Sequence, residues 1–190
     1  MPEKTALDFA EQILVRVKES RDDGITNLKL QKLLYYILGW TLAIEKRLLF
    51  KDPVEAQPFG PAFPSVWEKY RSAESGGLRC CSAVRIEHNP LIDAALNVYG
   101  AQKAHVLVAG THREPPWMDN YCEDNPDVSA IIPTKDIERY FSAQLVGSDV
   151  RLHTAFLGAY IDRKFEAVSI KSAPMSREEI DTVRAEIGLV

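Results

Sequence analysis

The sequence lacks the marks of several large functional classes. It has only three cysteines. Cys80 and Cys81 are neighbours, a spacing that rarely closes a disulfide, and the odd count leaves at least one thiol unpaired. A reduced, cytoplasmic setting is therefore expected. The longest apolar run, residues 33–44, is about half of the roughly 20 residues that span a bilayer, so it reads as a buried helix. No cationic stretch followed by an apolar one opens the chain, which argues against a secretory signal. Positive charge is not in excess. Lys and Arg number 23 against 27 Asp and Glu, for a net charge of −4. A general nucleic-acid binder usually presents a basic face, so this balance argues against one.

Chemistry-bearing patterns are also scarce. Gly76-Gly77 has neither the spacing nor the lysine of a phosphate-binding loop. The candidate zinc ligands Cys80, Cys81, Cys122, His88, His105, His112 and His153 do not form the close pairs that structural zinc sites use. Cys122 with His112, or Ser65 with a distant histidine, would be the nucleophile–base pairs of a hydrolase, but neither sits in a local catalytic signature. The acids around Asp119, Glu123 and Asp124 read as a solvated loop. No enzyme activity, cofactor or metal is expected.

What the 190 residues do contain is the material of one globular domain, with 46% apolar and 26% charged residues. Residues 5–20 show helical spacing at Leu7, Phe9, Ala10, Ile13, Leu14 and Val17, with one wet face. Thr26 is a good N-cap for a second helix, and Ile25 and Leu30 occupy the staple positions around it. From residue 28 to residue 44 apolar side chains fall on nearly every face, the mark of a central helix wrapped by others. Gly39 interrupts it at a propensity cost of roughly 1 kcal/mol, which points to close approach of another segment.

Residues 54–61 alternate and carry prolines, predicting a short edge strand or extended piece that ends in a tight turn. A short helix over 64–71 is predicted to turn Val66, Trp67 and Tyr70 inward. Residues 79–87 read as an edge strand. Asn89-Pro90 is an N-cap followed by Pro at the first helical position, and Gly100 stops the helix it opens. Further helices are predicted over 102–110, from 133 through Phe141, and over 150–165, with a strand over 167–172 and a last helix over 176–187. The expected fold is mainly α: a single compact helical domain around a central buried helix, with minor antiparallel β-structure. Its body is residues 1–146, with 147–190 as a helical extension packed on it.

Three segments carry a resemblance. Thr26-Asn27-Leu28-Lys29-Leu30-Gln31-Lys32-Leu33-Leu34-Tyr35-Tyr36 is one. Glu55-Ala56-Gln57-Pro58-Phe59-Gly60-Pro61 is the second, and Thr111-His112-Arg113-Glu114-Pro115-Pro116-Trp117 the third. In order and spacing they resemble the Panacea domain, an antitoxin-like family, over about residues 8–142. The loop at 75–87 and the tail beyond Val146 depart from the pattern. The resemblance implies an antitoxin that neutralises a cognate toxin by direct contact. In its adaptor form it would also deliver the toxin to an AAA+ protease, ClpXP. No catalytic residue is implied. The partner-binding or signature polar residues would be Lys29, Gln31, Lys32, Glu55, Phe59, Gly60, Pro61, His112, Glu114 and Trp117. Gln31, Glu55 and His112 are expected to form one buried polar network that fixes the fold or rims a partner groove. The alternative reading is a nucleic-acid-binding regulator that uses Lys29, Lys32 and Arg47, with Lys46 and Lys51 nearby, as a phosphate-contacting face.

Overall fold

The apolar stretch of residues 28–44 does form the axis of the molecule. In the computed structural model it lies in the helix Asn27–Glu45 (α2), around which the other elements assemble. The structure describes residues 4–19, 25–73, 77–78, 89–125, 129–146, 156–162 and 164. The Thr26 side chain accepts from Lys29 N at 3.2 Å, capping α2 as its residue type predicts, and Ile25 and Leu30 are both buried. Every residue of α2 from Leu30 to Ala43 is buried. The helix stops at Lys46, which takes a left-handed conformation with φ 49° and reaches Glu138 and Ser142 through its ammonium.

Helix α1 (Ala6–Glu19) packs on α2 through one apolar face, as the spacing predicts. Next come the strands β1 (Glu55–Gln57) and β2 (Gly60–Ala62), then the helix α3 (Pro64–Tyr70). Helices α4 (Pro90–Tyr99) and α5 (Ala104–Thr111) follow, then the single turn α6 (Pro115–Met118). The strand β3 (Ala130–Ile131) and the helix α7 (Thr134–Val146) come last among these elements. Asn89 caps α4 as expected, accepting from Leu91 N at 3.1 Å. The sheet is antiparallel in the order β2-β1-β3. β1 is therefore central in it rather than an edge, and β3 is a strand that the sequence reading missed. The fold is a mainly α single domain with this small sheet set against one side of α2. Among the described residues, no helix is long and apolar enough to cross a membrane.

Gly39 is where α7 comes closest. A β-carbon on Gly39 would overlap the ring of Phe141. That ring is fully buried and makes edge contacts with Tyr35, Tyr36, Trp40 and Tyr140, so it has no room to yield. Gly39→Ala is thus expected to destabilise the fold, by up to about 2 kcal/mol. Overpacking costs about 1–3 kcal/mol and outweighs the gain of roughly 1 kcal/mol in helix propensity. Denaturant unfolding checks this, and an alanine variant as stable as the parent would contradict it.

Part of the extension packs on the same core. Residues 156–162 are helical. Phe156 stacks on Trp40 with ring centroids 5.2 Å apart, and the Tyr160 hydroxyl donates to Glu45 Oε1 at 2.5 Å. The strands predicted over 79–87 and 167–172 and the helix over 176–187 lie outside the described residues. So do Cys80, Cys81, His88 and His153.

Candidate binding cleft

The three resembling segments are far apart in the chain, yet they meet at one place. Lys32 of α2 donates from Nζ to the Pro61 carbonyl at 2.8 Å, crossing to β2. Trp117 of α6 donates from Nε1 to the Gln57 carbonyl at 2.9 Å, crossing to β1. Gly60 stands between, with φ +92°, and a β-carbon there would lie 2.5 Å from Thr111 Oγ1 and 2.8 Å from Lys32 Nζ. Only a residue without a side chain fits both that backbone angle and that space.

Gln31 works beside Lys32. Its Oε1 accepts from Phe63 N at 2.8 Å, and its Nε2 donates to Asn27 Oδ1 at 2.9 Å. Asn27 Nδ2 in turn donates to the Trp67 carbonyl at 3.1 Å. This chain ties α2 to the end of β2 and to α3. Lys32 and Gln31 thereby satisfy a carbonyl of β2 and the amide just past its end, on the side away from β1, where no strand pairs among the described residues. Pro61, which has no N–H to give, is tolerated on such an edge.

Glu114 lies buried behind these contacts and accepts from the Tyr36 hydroxyl at 3.1 Å. Its Oε2, and the Tyr35 hydroxyl, have no hydrogen-bond partner among the described residues. Burial pushes the Glu114 carboxyl up to about 7, against the opposing pull of the Tyr36 hydroxyl and the Lys32 charge. Burial also brings the Lys32 ammonium down to about 7, with the Glu114 charge acting the other way. His112 stacks on Trp117 at 4.0 Å between ring centroids, and Trp117 stacks on Tyr121 at 4.5 Å. The His112 imidazole is held below its usual range, chiefly by burial and then by the Lys32 charge, with the Pro58 backbone opposing.

The expected network of Gln31, Glu55 and His112 does not form. Gln31 serves the Asn27–Phe63 link, and Glu55 accepts from Gln57 Nε2 at 2.7 Å. His112 Nε2 is buried with no partner among the described residues. What does form is Lys32 and Thr111 closing on Gly60, with a separate buried hydrogen bond from Tyr36 to Glu114, whose charge acts on Lys32. Tyr36 lay inside the first segment, but nothing in its local sequence marks it as the partner of Glu114. The proposed phosphate-contacting face also needs correction. Lys32 is only 1% exposed, and the Lys29 ammonium is bound to the Gly100 carbonyl. An α-helix so thoroughly wrapped has no wet side on which the two could stand together.

In front of this knot lies a cleft of about 410 Å³, floored by Gln31, Lys32 and Gly60 and walled by Phe59, Pro64 and Trp67. Phe59 is 63% exposed and Trp67 40% exposed. Trp67 therefore does not turn into the core with Val66 as its helical position predicted. Trp40, Trp117 and Phe63 are buried instead, which divides the aromatics into core and cleft sets. Cys122 is an exposed free thiol, and the described residues contain no group of three metal-ligating side chains. No protein-family model, curated protein or solved structure matches the chain.

Proposed function

We propose that the protein is a non-catalytic binding protein of the Panacea type, an antitoxin that neutralises a toxin by gripping it at the cleft beside Phe59 and Trp67. The observation that carries this reading is the convergence of the three resembling segments. Together they build one rigid floor and hold an exposed aromatic, Phe59, above it. Exposed aromatic side chains beside a concave surface are the usual anchors of protein interfaces. In the adaptor version of this reading, the bound toxin is then passed to ClpXP.

The test is co-expression of the chain with the product of its neighbouring gene. The two are expected to co-elute, and the chain is expected to restore growth when the neighbour is toxic. Phe59→Ala should weaken the complex by about tenfold or more, equivalent to about 1.4 kcal/mol. Its thermal melting should stay unchanged, because the Phe59 side chain is largely in solvent. A harmless neighbour that elutes separately would refute the antitoxin reading. A toxin whose half-life is the same with and without ClpXP would remove the adaptor step alone.

A further inference from the structure

The floor and the rim of the cleft differ in sign and in access. The Lys32 ammonium is shut beneath Gly60 and Pro61 and bonded to the Pro61 carbonyl, so it offers little charge to a visitor. The charge that the lining does present is the Glu68 carboxylate, next to Trp67 on α3, with its side chain 70% exposed. Its partner Arg71 sits 3.4 Å away and is equally exposed. Such a surface pair is worth little and yields to a competitor. Lys69 of the same helix does not line the cleft.

We infer that the cleft receives a partner segment in which an arginine or lysine adjoins a large apolar side chain. The apolar residue fills the space lined by Phe59, Ala62 and Pro64. The cation lies against the Trp67 ring and the Glu68 carboxylate. Indole faces attract cations, Arg above all, and a neighbouring carboxylate adds to the same preference. An acidic segment would meet Glu68 on a chain whose net charge is already −4. This inference rests on the reading of the cleft as a partner-binding face, and it specifies the chemistry of that partner.

The test titrates the full-length, isotope-labelled chain with three capped hexapeptides. One alternates leucine with arginine, one leucine with glutamine and one leucine with glutamate. The arginine peptide is expected to shift the Trp67 indole and Phe59 amide resonances. It should bind on the order of tenfold more tightly than the glutamine peptide, and less tightly as salt rises. The glutamate peptide should be weakest. Glu68→Lys should reverse the ranking, and because Glu68 is exposed its melting should match the parent. Equal binding of all three peptides, preference for the glutamate peptide, or shifts lying away from Phe59 and Trp67 would each overturn the inference. Co-elution with a toxin that survives Trp67→Ala would also overturn it, and would leave only an antitoxin that holds its toxin elsewhere than at the cleft. Absence of any toxin would sink that reading, and the peptide ranking would still decide the chemistry of the cleft.

Discussion

Replacing Glu114 by Gln is expected to raise stability at pH 7.5 relative to the parent, and to lose that advantage at pH 5. Folding holds the Glu114 carboxyl up near 7, against 4.5 for an ordinary glutamate. Between those values the folded chain binds more protons than the unfolded one, so stability falls as the pH rises through the window. Lys32 works in the opposite direction. Its folded value is about 7 against an ordinary 10.5, so above pH 7 the unfolded chain binds more protons and stability climbs with pH. Together the two groups produce a trough near neutrality. The acid arm has a depth of the order of 3 kcal/mol, from about 1.4 kcal/mol per unit of displacement. The measurement is denaturant unfolding of parent and Glu114→Gln from pH 5 to pH 9. A parent–variant difference that stays constant between pH 5 and pH 7.5 would show that Glu114 is not held protonated by its burial. Lys32→Met is the matching probe of the alkaline arm. It should flatten the rise above pH 7, even though it leaves the Pro61 carbonyl without its donor.

Gly60→Ala carries the second large effect. Two costs add at this position. A φ of +92° is strained for any residue with a β-carbon, and the new methyl would press on Thr111 Oγ1 at 2.5 Å and Lys32 Nζ at 2.8 Å. The strain costs about 1–2 kcal/mol and the overpacking about 1–3 kcal/mol, for a loss of about 3 kcal/mol. Lys32 cannot swing aside cheaply, because its side chain is buried and its ammonium is committed to Pro61. The loss should therefore shrink in a Lys32→Met, Gly60→Ala double variant. A double-mutant cycle in which the two changes simply add would show that Lys32 is not the obstacle.

The parts of the fold that were legible in the sequence are those fixed by local rules. Thr26, Asn89 and Pro64 mark helix starts through capping and the proline position, and α2 announces its burial because no face of it is polar. Gly39 pointed to a close approach, and Phe141 is what approaches. The parts that stayed hidden depend on partners distant in sequence. β3 is two exposed residues whose only periodic cue is too short to register, and it exists because β1 offers an edge at Glu55 and Ala56. Lys32 looked like a wet lysine on a helix, since residue type alone argues for exposure. Its burial follows from the carbonyl of Pro61, some thirty positions later, being placed to receive it. Trp67 has the spacing of a core residue, yet α3 is so short that its side can stand out over the cleft. Of the candidate site, the membership of Lys32, Gly60, Glu114 and Trp117 could be named in advance, but not the way they pair.

The contacts of Lys32 and Gln31 with Pro61 and Phe63 have one more effect. They close one flank of the sheet with side chains, where another protein would use a neighbouring strand. A stray extended peptide finds no free carbonyl or amide at those two positions, and the missing N–H of Pro61 denies it a third. Among the described residues, the flank open to a further strand is the one beyond β3, where Ala130 and Ile131 lie exposed. Fibril-like stacking of unfolding intermediates should therefore begin from that side, and a lysine at Ile131 would be the economical way to discourage it.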